Sequence, residues 1–284
     1  MGNYQDIVEI GVFDNETILF EGQFPIPEGI SYNSYVIIDE KIAVMDSVDV
    51  RFADQWLSNL ESALQGKAPD YLVIQHMEPD HSGSIQQFIQ TYPQTKLVGN
   101  TKTFTMLKNY FGSDYSENQL MVKNGDTLPL GSRTLTFVFA PMVHWPEVMM
   151  TYDSASKILF SADAFGTFGP RETTTSWIDE ARRYYFGIVA PYGKQVQALF
   201  KKLTAYDIQA LYPLHGPVLE SDISPYIAAY KTWSTYEAEE DGVTLVYSSV
   251  YGHTEKAINT LAQIVKDKGR SIAVFDLSTC IESE

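Results

Sequence analysis

Gln75-His76-Met77-Glu78-Pro79-Asp80-His81-Ser82-Gly83 places two imidazoles and two carboxylates close together, directly after the apolar run Tyr71-Leu72-Val73-Ile74. That combination is a metal-ligand cluster. In an extended loop alternate side chains project the same way, so His76 and Glu78 are placed to grip one ion while Asp80 and His81 swing round to a second. A plain polar turn ahead of a helix would use similar residues, left in water because buried charge is costly. The rest of the chain decides between the two readings.

Three more candidate ligands stand in one kind of place. His144 follows Leu135-Thr136-Phe137-Val138-Phe139-Ala140, Asp163 follows Ile158-Leu159-Phe160-Ser161-Ala162, and His215 follows Ala210-Leu211-Tyr212-Pro213-Leu214. Each ends an apolar strand-like run, as the first cluster does. One such histidine would ordinarily be a structural residue with its hydrogen bonds satisfied. Four of the 5 histidines share the pattern, and residues at strand ends along one rim converge in space though distant in sequence.

Composition limits the alternatives. At 44% hydrophobic and 13% aromatic, the 284 residues are those of a globular protein, with no apolar run long enough to span a bilayer. A net charge of −16 disfavours nonspecific binding to nucleic acid or anionic lipid. Small molecules and protein partners remain. The lone Cys280 excludes an internal disulfide and a Cys-ligated zinc or iron–sulfur site within this chain. The start Met1-Gly2-Asn3-Tyr4-Gln5-Asp6 has no basic region or apolar stretch, and Asp6 occupies the Ser/Thr position of a myristoylation pattern. A reducing cytoplasm is the expected compartment.

The remaining texture predicts a layered α/β architecture without repeats. Ile7 to Val12, Thr17 to Phe20, Tyr35 to Ile38 and Lys41 to Asp46 read as strands, with Pro25 and Pro27 between them. Phe52, Trp56, Leu57, Leu60 and Leu64 recur at helical spacing before Gly66. Helices over 84–92 and 102–110 flank the strand Lys96-Leu97-Val98-Gly99. Asn124-Gly125 is a hairpin signal between strands at Leu120–Val122 and Thr127–Leu130. A helix over 223–236 leads to the acidic hinge Glu237-Ala238-Glu239-Glu240-Asp241-Gly242. Val243 to Tyr247, Thr254 to Lys268 and Ile272 to Phe275 then read as strand, helix and parallel strand.

The residues now carry a resemblance. His76-x-Glu78-x-Asp80-His81, followed by His144, Asp163 and His215, is similar to the His-x-His-x-Asp-His loop and later His, Asp and His of the metallo-β-lactamase fold superfamily. Glu at the third loop position is the departure that flavodiiron proteins show, and the chain resembles that family. Tyr32-Asn33-Ser34-Tyr35, His144-Trp145-Pro146-Glu147, Ser161-Ala162-Asp163-Ala164-Phe165-Gly166 and Leu214-His215-Gly216-Pro217 share in the likeness. It implies an αββα sandwich over 1–240. It also implies that His76, Glu78 and His144 hold one iron, that Asp80, His81 and His215 hold another, and that Asp163 bridges them. A shell of nitrogen and oxygen without thiolate suits iron, manganese or zinc, and the hard anionic oxygen of Glu78 favours ferric iron.

Ser248-Ser249-Val250-Tyr251-Gly252-His253-Thr254 resembles the flavodoxin loop in which hydroxyls, N–H groups and a helix amino terminus cradle the FMN phosphate. Tyr251 and His253 replace the Thr and Asn of many flavodoxins. The start of a flavodoxin-like domain is thus expected over 241–284. Such a domain takes roughly 140 residues, so the stretch reads as part of one, and the chain as a fragment of a longer protein.

The implied activity is reduction of NO to N2O or of O2 to water at a non-haem diiron site, with electrons passing through FMN. Rubredoxin or an NAD(P)H-dependent flavin reductase is the implied donor and a head-to-tail homodimer the implied assembly. A dizinc hydrolase of the same fold and a diiron oxygen sensor are the rival readings, the first opposed by Glu78.

Overall fold

A computed structural model describes residues 6–113, 115–172 and 177–279; the first five residues and Cys280 lie outside them. The chain divides into two compact units, between Thr235 and Tyr236.

In the first unit, runs such as Tyr35–Ile37, Ala43–Met45 and Ile158–Phe160 are buried at every position. A strand apolar on both faces needs cover on both sides, and the layers provide it. Six strands form one sheet in the order Ile7–Glu9, Tyr35–Ile37, Ala43–Met45, Tyr71–Val73, Lys96–Gly99, Gln119–Met121. Its first three strands pair antiparallel and the rest parallel. The second sheet runs Thr127–Pro129, Thr134–Phe139, Met149–Asp153, Ile158–Phe160, Ala210–Tyr212, with only the last pair parallel.

The two-residue period sorts the side chains. Tyr35, Ile37, Met45, Val73 and Val98 of one sheet form a single buried cluster with Leu135, Phe137, Met149 and Phe160 of the other. Val36, Val44, Leu72 and Leu97 alternate with them and join Trp56, Leu60 and Phe88 from the helices Ala53–Leu64 and Ile85–Thr91. Val138, Met150, Leu159 and Leu211 do the same with Val196, Leu199 and Leu203 of the helix Gly193–Leu203. The result is helix, sheet, sheet, helix.

Local departures from the sequence reading have local causes. The expected strand Ile7 to Val12 is two: Ile7–Glu9 pairs in the first sheet, whereas Val12–Asp14 pairs with Ile30–Tyr32. The chain changes partner at Gly11, where a Cβ would lie 2.5 Å from the Tyr32 carbonyl oxygen. Only Leu19–Phe20 of the next expected strand pairs, with Phe24–Pro25. Asn124-Gly125 closes no hairpin, because the strands beside it belong to different sheets. Asn124 Oδ1 instead accepts from Phe139 N at 2.8 Å, and Gly125 N donates to Phe137 O at 2.8 Å. The helix expected over 102–110 is Thr101–Phe111, where Asn100 Oδ1 accepts from the N–H groups of Lys102 and Thr103. Trp177–Tyr184, the wide π-type turn Tyr185–Val189 and Gly193–Leu203 fill a stretch the apolar pattern left unassigned.

The second unit contains strand Gly242–Tyr247, helix His253–Asp267 and strand Ser271–Asp276, the two strands parallel from Gly242↔Ser271 to Tyr247↔Asp276. Val246, Leu261, Ile264 and Val274 are exposed. Among the described residues no helix is long and apolar enough to cross a membrane.

Candidate metal centre

The loops leaving one rim of the two sheets bring all seven predicted ligands together. Their donor atoms form two groups, each with atoms within 4.8 Å of one another: His76, Glu78, His144 and Asp163 in one, Asp80, His81 and His215 in the other.

The first loop is less extended than its sequence suggested. Pro79–Ser82 make one helical turn, with Pro79 at its start and His81 N and Ser82 N both donating to Glu78 O at 2.9 and 3.0 Å. The turn, rather than strand alternation, carries Asp80 and His81 to the second group. Nor is the loop solvated: His76, Asp80, His81, His144, Asp163 and His215 are all buried.

Asp163 joins the groups. Its Oδ2 lies 3.0 Å from His144 Nε2 and 3.3 Å from His76 Nε2, while Oδ1 lies 3.4 Å from His81 Nε2 and 3.8 Å from His215 Nε2. Ala162 before it and Phe165 after it have φ of 51° and 68°. Such backbone is costly for residues with a Cβ and is retained where surroundings over-determine it. Here Leu214 N bonds Ala162 O at 2.9 Å, and Tyr230 Oη accepts from Phe165 N at 2.6 Å.

The other ligands are held as firmly. His76 Nδ1 meets Glu147 Oε1 at 2.9 Å, and the same oxygen accepts from Met77 N at 2.9 Å. Asp46, at the end of the strand Ala43–Met45, accepts from Gln75 N and His76 N at 2.7 and 3.2 Å. His215 Nδ1 donates to Ser31 O at 2.8 Å, and Gly216 N donates to Ser31 Oγ at 2.7 Å. Asn33 Nδ2 clasps the same turn by donating to Pro213 O and Gly216 O. Gly216 has φ of 76°, and a Cβ there would collide with Thr167 Oγ1, so the turn bearing His215 demands glycine.

Whether these residues fit a metal is tested by what they lack. Both oxygens of Asp80 and of Asp163 are buried with no hydrogen-bond partner among the described residues. Imidazole nitrogens face each other at 3.3 Å between His76 Nε2 and His144 Nε2, and at 3.0 Å between His81 Nε2 and His215 Nε2. Facing lone pairs beside bare carboxylates require intervening positive charge, from protons or cations. The electrostatics agree. Burial would lower His81 and His144, but the carboxylates outweigh it and raise them to about 10 and about 9. Burial would likewise raise Glu78 and Asp163, yet the histidines bring Glu78 down to about 2 and hold Asp163 well below the usual carboxylate range. Nitrogen and oxygen donors in two groups joined by one carboxylate suit a pair of divalent or trivalent ions.

Several residues of the centre were not singled out by sequence reasoning. Asp46 follows the rule that marked Asp163, an acid closing an apolar strand, and Glu147 stands three residues after His144. Tyr184 had no such signal. It is buried, its ring centroid lies 5.5 Å from that of His215, and its hydroxyl has no hydrogen-bond partner among the described residues. Phe20 and Tyr32 also set their rings against His215, at 5.5 and 5.8 Å. Beside them a cavity of about 270 Å³, lined by Leu19, Phe20, Glu21, Arg51, Glu78 and Asp80, opens toward the ligands. Partial burial and the nearby Glu78 carboxylate raise Glu21 to about 7.

In the second unit, Ser248–Thr254 join strand to helix. Gly252 has φ of 78° and precedes His253, which opens the helix instead of lying in the loop. Ser249 Oγ has no hydrogen-bond partner among the described residues, whereas Val250 and Tyr251 project into solvent. An unpartnered hydroxyl beside a helix amino terminus fits a phosphate.

Known proteins resemble this chain in sequence and in fold. Residues 30–216 match the family described as ODP family beta lactamase. An anaerobic nitric oxide reductase flavorubredoxin of Aliivibrio fischeri is 33% identical over 277 residues, which cover 93% of this chain and 55% of the relative. A putative diflavin flavoprotein A 1 of Nostoc sp. is 32% identical over 272 residues, 93% of this chain and 47% of its own length. The chain thus spans about half the length of these curated relatives. The flavodiiron protein from Giardia intestinalis superposes with a TM-score of 0.90 at 28% identity, covering 98% of this chain and 70% of its own. The rubredoxin oxygen:oxidoreductase from Desulfovibrio gigas gives 0.88 at 28% identity, covering 100% and 73%.

Proposed function

The chain belongs to the flavodiiron protein family, with a metallo-β-lactamase-like core, and on that premise we propose that it is the diiron-bearing part of an oxidoreductase reducing NO to N2O or O2 to water. The observation that carries the reading is Asp163, whose two oxygens each face one pair of histidines. His76, Glu78 and His144 would hold one iron, Asp80, His81 and His215 the other, with Asp163 shared. Two irons there would supply electrons one at a time to a diatomic substrate.

The chain's own residues do the rest. Glu147 and Asp46 fix the loop of His76, so that its Nε2 stays turned to the metal position. Phe20, Tyr32 and Tyr184 make one side of the site largely aromatic and limit the water that reaches it. Tyr184 is buried near three carboxylates, which together with burial keep its hydroxyl protonated. It is therefore suited to donate a hydrogen bond to a polar diatomic held beside it.

FMN is the proposed electron carrier, its phosphate held by Ser248, Ser249, Gly252 and Thr254. The relatives' names, flavorubredoxin and rubredoxin oxygen:oxidoreductase, favour a rubredoxin-type donor. A head-to-tail homodimer is the proposed assembly; Ile18, Leu19 and Val50 are large apolar side chains exposed on and beside the segments lining the cavity, surface that a partner chain would cover.

The test is metal analysis of anaerobically purified protein together with NO and O2 consumption by the chemically reduced sample. Two irons per chain with gas consumption support the reading. Two zincs with esterase or phosphodiesterase turnover would replace it by the hydrolase.

A further inference from the structure

A second cavity lies away from the ligands, between the helices Gly193–Leu203 and Ser224–Ser234, with a volume of about 550 Å³. That falls within the roughly 300–1,000 Å³ of small-molecule sites. Leu203 and Leu211, both buried, belong to its lining. Phe200, Ile223 and Ile227 add partly buried apolar surface. Ile223, at the start of the second helix, and Ile227 and Lys231 within it recur at four-residue spacing, one stripe facing the cavity.

The lining also carries a charge of one sign. Lys201 and Lys231 both border the cavity, and the Lys231 ammonium lies 5.8 Å from the centre of the Phe200 ring. Neither lysine has a carboxylate partner among the described residues, whereas neighbouring Lys202 donates to Phe139 O at 2.6 Å. In a protein of net charge −16, two unneutralised ammoniums beside one apolar cavity form a local reversal of the overall field.

We propose that this cavity binds an amphipathic monocarboxylate, an aliphatic chain lying on Leu203, Leu211 and Ile227 with its carboxylate at Lys201 and Lys231. Leu203, Ile208, Leu211 and Ile227, with the rings of Phe200 and Tyr206, make the walls largely apolar and argue for a hydrocarbon tail over a polar metabolite. The lining has no acidic side chain to repel the head group or to attract a cationic one.

The experiment is calorimetric titration of the whole chain with dodecanoate below its micelle concentration, with dodecanol and acetate in parallel. One dodecanoate should bind per chain, with dodecanol weaker and acetate undetected. Ile227→Trp should fill the cavity and weaken dodecanoate by roughly tenfold or more, about 1.4 kcal/mol per tenfold. The paired change Lys201→Ala with Lys231→Ala lies at exposed or half-exposed positions. It should weaken dodecanoate alone and leave dodecanol unchanged. Thermal melts check that each variant is folded. Absence of dodecanoate binding, equal affinity for dodecanol, or binding unaffected by either variant would overturn the proposal. So would loss of self-association in Ile227→Trp without any dodecanoate binding, which would make the cavity an interface between copies.

Discussion

The two halves of the centre are built from similar ligands but supported differently. Around His76 the supports are side chains: Glu147 takes both the imidazole Nδ1 and Met77 N, and Asp46 takes two further N–H groups. Around His215 the support is the Ser31 carbonyl, while His81 Nδ1 has no hydrogen-bond partner among the described residues. A carboxylate behind an imidazole makes it a stronger ligand and fixes its ring; a carbonyl does so less, and an unpartnered nitrogen not at all. The His76 half should therefore bind metal more tightly, and the His81 half should lose it first.

The largest effect expected is at the shared carboxylate. Asp163→Ala should strip metal from both positions, measured as metal per chain after desalting; two retained ions would break the bridging assignment. Next, His144→Ala and His215→Ala should each remove one ion, from opposite halves, and stepwise chelation of the parent protein should release the His81 half before the other. Simultaneous release would erase the asymmetry.

Glu147→Gln sharpens the same comparison. It keeps the acceptor for Met77 N but weakens the support of His76, so metal affinity in that half should fall about 10–100-fold. Ser31→Ala leaves the carbonyl behind His215 intact. It should cost about 1 kcal/mol of stability through the lost bond to Gly216 N, with little effect on metal content.

A smaller effect concerns the metal-free protein. His81 and His144 are raised from 6.5 to about 10 and about 9, burial opposing the charge and the carboxylates overcoming it. Groups raised in this way stabilise the fold fully below pH 6.5, and that contribution disappears as pH rises through 9 and 10. Chelator-treated protein should therefore melt at lower temperature at pH 10 than at pH 7, and metal-loaded protein should show much less of this change. A flat profile without metal would show that protons do not hold the cluster together. The smallest expected signal is FMN binding by these 284 residues alone, because the second unit contributes only the Ser248–Thr254 loop, one helix and two strands to the proposed FMN site. A stoichiometric yellow protein would contradict that.

Much of the candidate site was legible because the proposed metal ligands follow a rule visible in one dimension. They stand where an apolar run ends, and His76, His144, Asp163 and His215 all do. Asp46 obeyed the same rule and lay unmarked, since an acid closing a strand can as well be a structural acceptor. Tyr184 was illegible because it sits within a helix whose apolar spacing has no special feature. Its ring reaches His215 only through the packing of that helix.

The amino-acid sequence by itself determined which atoms are available to a metal, their order, and the layered architecture, since ligand chemistry and a two-residue period are local properties. Tertiary structure alone decided that Asp163 stands between two histidine pairs and that the apparent hairpin at Asn124-Gly125 joins different sheets. It also decided that one half of the centre rests on carboxylates and the other on a carbonyl. Those outcomes depend on which loops share a rim, and long-range packing sets that when the two sheets close on each other.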